Sequence, residues 1–246
     1  ARPPLATGFP LQTFHSQVLK KRPNMKYSTN PIIRETIMQE ARKLFYDKGY
    51  EKTTVDDIAT ACGISKGLIS YHFKAKIDLA YEIFESDRYE FIQIVNRKIA
   101  HSFGKTSVAS MSGIFDRLLL RQMKQDSKVY SFFRAMVSNA KNIQANDYSF
   151  HLHQIYVPSY SEGKSDDNFT QLTSAASRGA AGAVITAYFN KEIDPLPTYE
   201  EFEDYRVSIY YRLMNYSTEE IRQLQEESRL VADQIELEYL PYFKIR

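Results

Sequence analysis

From Pro31 onward, apolar residues recur every three or four positions almost without interruption, the spacing of one face of an α-helix. Ile33, Ile37, Ala41, Leu44 and Phe45 form the first such stripe, and Gly49 ends it. A second, short pattern holds Val55, Ile58, Ala59 and Cys62, and a third holds Ile64, Leu68 and Ile69. The spacing then predicts a long helix over about 77–100 and further helices over about 107–125, 128–142 and 147–157. Pro158 and the polar run 161–168 mark a loop. Three more helices are expected over about 169–190, 199–214 and 218–240. Sustained period-two alternation is scarce, so the fold class is all-α, with about nine or ten helices.

The two short patterns sit in a segment with unusually complete punctuation. Thr54 followed by Asp57 reads as a capping box, in which the hydroxyl satisfies a backbone N–H at the helix start. Gly63 falls where that helix must stop in a left-handed conformation, and Ser65 is placed to cap the next helix. The second helix would then present Lys66, Gly67, Ser70 and Tyr71 outward. A cation, a bare backbone, a hydroxyl and an aromatic with a polar tip suit a DNA groove. Spacing alone leaves a second reading open, a helical hairpin inside a core with no partner.

Composition narrows the class. The chain has 246 residues, 43% apolar and 25% charged, enough to bury one large core or two smaller ones. No apolar run approaches the roughly 18 residues that span a bilayer, and Cys62, alone, excludes an internal disulfide framework; both suit a cytoplasmic protein without a membrane partner. Net charge is +2, but residues 1–24 carry four basic residues and no acid, whereas 81–246 carry an acidic excess. The N-terminal third is therefore the positive end, which permits nucleic acid without proving it. Residues 1–24 show no periodicity and hold several prolines, Met25 looks like a natural start, and 1–30 as a whole read as a disordered arm or an expression remnant. The other reading is a native basic arm against DNA backbone.

The phrases LFYDKGYEKTTVDDIA (44–59) and ACGISKGLISYHFKAKIDL (61–79) carry a resemblance. From Ile33 to about Glu85 the chain resembles the N-terminal domain of the TetR family of repressors. The resemblance implies a helix-turn-helix DNA-binding domain over 31–76 and a helical ligand-binding and dimerisation domain over 77–246. It implies that Lys66, Gly67, Leu68, Ser70 and Tyr71 lie on the base-reading helix, while Thr54, His72 and Lys76 hold DNA phosphates. Lys76 also sits at the start of the long helix, where N–H groups favour an anion. The family usually has tyrosine where Ser70 stands and often a small hydroxyl residue where Leu68 stands, so an unusual operator is expected. For His72 the plainer reading is a half-buried ring beside Phe73, and for Cys62 a small core residue.

Further along, Ala175, Gly179, Ala183 and Ala187 make one smooth stripe that permits close helix approach. It is either internal packing or, as the resemblance implies, part of a two-fold bundle in which helix 169–190 pairs with 199–214. Phe115, Leu119, Met123, Phe133, Met136 and Tyr156 are candidates to line a pocket for a small apolar or aromatic effector; ordinary core is the competing reading. The implied partners are thus an operator in double-stranded DNA, a second copy and that effector. No phosphate loop, nucleophile elbow or HExxH appears, so no enzyme is expected. His151 and His153, two apart, face different sides of a helix, and neither metal nor cofactor is expected. A regulator that activates, or works through a protein partner without a small ligand, remains the alternative.

Overall fold

A computed structural model describes residues 31–103, 108–138 and 167–246 of the protein. Among them are nine α-helices and a single isolated bridge between extended residues, so the all-α class holds. The helices are α1 (Pro31–Asp47), α2 (Val55–Cys62), α3 (Lys66–His72), α4 (Lys76–Ser102), α5 (Val108–Gln125), α6 (Ser127–Ser138), α7 (Asp167–Phe189), α8 (Tyr199–Leu213) and α9 (Thr218–Gln234). None is long and apolar enough to cross a membrane. The helix expected over 147–157, with Tyr156, His151 and His153, lies outside the described residues.

One expected boundary needs correction. The helix read over 218–240 stops at Gln234, and Tyr239 instead pairs with Ile245 as antiparallel neighbours. The cause is visible in the sequence IELEYLP: Ile235, Leu237 and Tyr239 alternate with acids, a strand period, and the residue before Pro241 is driven out of the helical region.

The described residues form two compact units. The first comprises 31–94, 122–138 and 237–246 and contains α1, α2, α3, the first part of α4, and α6. Its core is Ile37, Ala41, Phe45, Ile58, Ile69, Leu79, Ile83, Phe132 and Met136, all buried. Phe45 lies 5.8 Å from Phe132 in a stacked pair and 5.4 Å from Tyr50 edge-on. Two ion pairs tie α1 to α4. Arg42, buried, grips the half-buried Asp87 in a fork, at 2.9 Å for the closest pair, and Arg34 pairs with Glu82.

The second unit comprises 95–103, 108–121 and 167–236. Ile114, Leu118, Ile185, Val207, Tyr211, Leu224 and Val231 fill its interior. Helices α5 and α9 touch at Gly113, where an added Cβ would stand 2.8 Å from the Cβ of Ser228 and 3.0 Å from the Tyr211 hydroxyl. Only a residue without a side chain allows that approach. One turn on, the fully buried Arg117 donates to Glu203 and Asp204 of α8, to the Ser228 hydroxyl at 3.1 Å and to the Gln225 carbonyl at 3.2 Å. Arg121 extends the network to Glu203 and to Asp233 at 2.7 Å. A buried cation is tolerable only when its donors are matched in this way.

Candidate nucleic-acid interface

The local chemistry of residues 54–73 builds two short helices with a fixed corner. Thr54 Oγ1 accepts from the Asp57 N–H at 3.1 Å, and the Asp57 carboxylate accepts from the Thr54 N–H at 2.7 Å, a complete capping box. Lys48 adds an ion pair to Asp57 at 2.6 Å; with the two Thr54 bonds it pulls the carboxyl down to about 2. Gly63 closes α2 at φ +66°, and its N–H returns to the helix's last carbonyls. Ser65 then caps α3 by accepting from the Leu68 N–H at 3.3 Å.

Helix α3 buries one side and leaves the other bare. Ile69 and, just past the helix, Phe73 are buried, whereas Lys66, Gly67, Ser70 and Tyr71 are exposed, Tyr71 at 66%. Leu68 is half-buried beside them. The outward set expected from sequence is thus exposed together, with Tyr71 its one aromatic side chain.

The backbone-holding candidates are less alike. Thr54 is exposed, with its hydroxyl engaged in the cap. His72 is half-buried, its Nδ1 atom buried without a hydrogen-bond partner among the described residues. Burial, then the positive Arg34 nearby, lower its pKa below the ordinary histidine value, so the ring is neutral at pH 7. Lys76 turns inward: its ammonium donates to the carbonyls of Tyr50 at 2.8 Å and Thr53 at 2.9 Å, and lies 4.2 Å from the Tyr50 ring centre. It braces the loop that delivers Thr54. Two cations that sequence reasoning did not single out stand at the flanks of the motif. Lys52 precedes α2 and Lys74 follows α3; both are exposed, and no described carboxylate pairs with either. Their only sequence signal was a charge beside a cap.

The other candidate residues separate by location. Phe115 and Leu119 fall in the second unit, and Met123, Phe133 and Met136 in the first. Phe115, Met123 and Met136 are buried, Leu119 and Phe133 half-buried. A separate open groove of about 790 Å³ in the second unit is lined by Ala183, Val184, Ile193, Leu196, Phe202 and Tyr205, among others. In α7, Ala175, Gly179 and Ala183 are exposed and Ala187 half-buried, and nothing stands within 4 Å of a Cβ added at Gly179. Helix α7 packs on α8 through other residues, such as Tyr188 stacked on Phe202 at 3.9 Å.

Comparison with known proteins converges on the same segment. Residues 37–83 match the family described as bacterial regulatory proteins, tetR family. The uncharacterized HTH-type transcriptional regulator YerO of Bacillus subtilis (strain 168) is 46% identical over 43 residues, which is 18% of this chain and 15% of YerO. The HTH-type transcriptional repressor KstR2 of Mycolicibacterium smegmatis is 40% identical over 50 residues, 20% of this chain and 24% of KstR2. The matched stretches thus span at most a quarter of these relatives. Among solved structures, RolR in complex with resorcinol shares the fold with a TM-score of 0.52 at 14% identity, over 83% of this chain and 95% of RolR. The helix-turn-helix segment of this chain, residues 37–83, is therefore similar to the tetR family of bacterial regulatory proteins.

Proposed function

We propose that this protein is a cytoplasmic transcriptional repressor that binds a palindromic DNA operator as a homodimer and is released by a small apolar or aromatic ligand. The observation that carries the reading is α3, capped at its start, anchored by Ile69 and Phe73, and exposing Lys66, Gly67, Ser70 and Tyr71 on one face. In the major groove that face would read bases, while Thr54, Lys52 and Lys74 would hold phosphates. His72 would meet a phosphate as a neutral N–H donor. Lys76, with two donors on carbonyls, would position Thr54 and keep one N–H for DNA.

The repressor and ligand parts lean on relatives: KstR2 is named a repressor, and RolR, alike in fold, holds resorcinol. The homodimer is supported by the small-residue stripe on α7, exposed at Ala175, Gly179 and Ala183 and half-buried at Ala187, which a second copy would cover. Two recognition helices about 34 Å apart then meet successive major grooves. Ligand release is a population shift, since the ligand must prefer the spacing that DNA does not.

Selection of bound sequences from random DNA tests the whole reading. A two-fold symmetric site with half-sites about 10 base pairs apart is expected; enrichment of nothing would overturn DNA recognition, and an asymmetric single site would overturn the dimer. On the selected site, Tyr71→Ala should change which bases are preferred. Lys74→Ala should weaken all sequences alike and lower the salt slope by about one. Screening phenols and other small aromatics for release of that DNA then tests gating.

A further inference from the structure

The chain does not end with its last helix. Glu238 and Arg246 exchange both backbone hydrogen bonds, at 3.0 and 2.9 Å, and the Leu240 N–H donates to the Lys244 carbonyl at 2.9 Å. These bonds close a small hairpin whose tip places Tyr242 and Phe243 at φ +62° and +64°. Two successive non-glycine residues in the left-handed region are strained, and such a turn persists only where its surroundings hold it.

What holds it is the unit carrying the helix-turn-helix. Phe243 is buried and stacks on Phe132 of α6 at 4.6 Å. Tyr46 of α1 stands edge-on to both Tyr242, at 5.2 Å, and Phe243, at 5.3 Å. Tyr46 is itself fixed from α6's start, its hydroxyl donating to Asp126 at 2.6 Å. Lys244 pairs with Glu90 of α4 and lies 3.8 Å from Asp87, the carboxylate that Arg42 of α1 grips. Ile245 is buried as well. The hairpin thus touches α1, α4 and α6 together and adds a cation to the ion pair that joins α1 to α4.

That junction decides how α3 is presented. Helix α1 packs on α2, α2 on α3, and only three residues separate α3 from α4. A small change in the angle between α1 and α4 therefore moves the short helices between them. We infer that the C-terminal hairpin is a positioning element for the helix-turn-helix, with Phe243 and Lys244 holding the α1–α4 angle at which α3 is presented. This inference rests on the reading of α3 as the DNA reader.

The test uses the full chain with Phe243→Ala, Phe243→Tyr, Lys244→Ala and Lys244→Arg, read by hydrogen exchange in α1 and α3 and by affinity for selected DNA. Phe243→Ala should speed exchange in the last turn of α1 about tenfold and weaken DNA binding by a similar factor. Total helix content, base preference and salt slope should not change, and Phe243→Tyr should restore most of the loss. Lys244→Ala, on a partly exposed side chain, should act about threefold in the same direction, with Lys244→Arg restoring it. Exchange in α1 and DNA affinity both within twofold of the unsubstituted chain would overturn the inference. So would an affinity loss that tracks only the unfolded fraction. Should the unsubstituted chain select no DNA, the reading of α3 fails, while exchange in α1 still decides whether the hairpin braces that helix.

Discussion

The cations of α5 and those around α3 carry the same charge in opposite situations. Arg117 is fully buried, and each of its nitrogens donates to a named partner on α8 or α9. Lys66, 60% exposed, has one carboxylate, Asp56 at 2.9 Å, which is itself 67% exposed; Lys52 and Lys74 have none among the described residues. Charge in the first place holds helices together. Charge in the second does little for the fold and remains available to an anionic partner. Net charge, at +2, records neither arrangement.

The largest effect that could break this contrast is on stability. Arg117→Ala leaves Glu203, 4% exposed, without its nearest cation, so unfolding free energy should fall by about 3–5 kcal/mol. Lys66→Ala should change it by no more than about 0.5 kcal/mol. Denaturant unfolding of the two variants decides the matter, and equal losses would erase the distinction. A smaller effect is expected at the cap: Thr54→Ala removes the hydroxyl that α2 depends on and should cost about 1 kcal/mol. The loss should be concentrated in the exchange of amides in the first turn of α2. The smallest concerns pH. The folded His72 pKa is below its ordinary 6.5, so the unfolded chain takes up the proton first as pH falls. Stability should therefore decline as pH drops below about 6.5 and level off once the folded ring also protonates. His72→Gln should remove that part of the profile; an unchanged profile would mean the ring is not held neutral by burial.

The same contrast explains what could be read in the sequence. The helix-turn-helix was legible residue by residue because each signal acts within a few positions: Thr54 on Asp57, Gly63 on the carbonyls of Ala59 and Thr60, Ser65 on Leu68. The Arg117 network was not, because its partners lie 86 and 111 residues away and no local pattern marks which arginine will be buried. Residues 235–240 read as the end of the last helix because their alternation lasts only a few residues and follows a strong helical stripe. Lys76 was legible as a cation at a helix start, but its turn inward depends on carbonyls more than twenty residues earlier. Phe115, Met123 and Met136 show the limit of composition, since a buried aromatic or methionine looks the same in a core and in a pocket wall.

One modest feature, the seven-residue length of α3, has a consequence for addressing. At about 1.5 Å per residue the helix is roughly 10 Å long, and at about 3.4 Å per base pair a base-reading helix of that length covers on the order of three pairs. A three-letter word recurs about once in every 64 positions, so one such helix distinguishes almost nothing among the roughly 10⁶ or more competing sites of a genome. In the proposed dimer two symmetric copies would double the word and fix its spacing, and each further gain would come from flanking contacts such as Lys52 and Lys74 or from the shape of the DNA between the half-sites. If α3 reads bases as proposed, its brevity makes selectivity a property of two copies rather than of one.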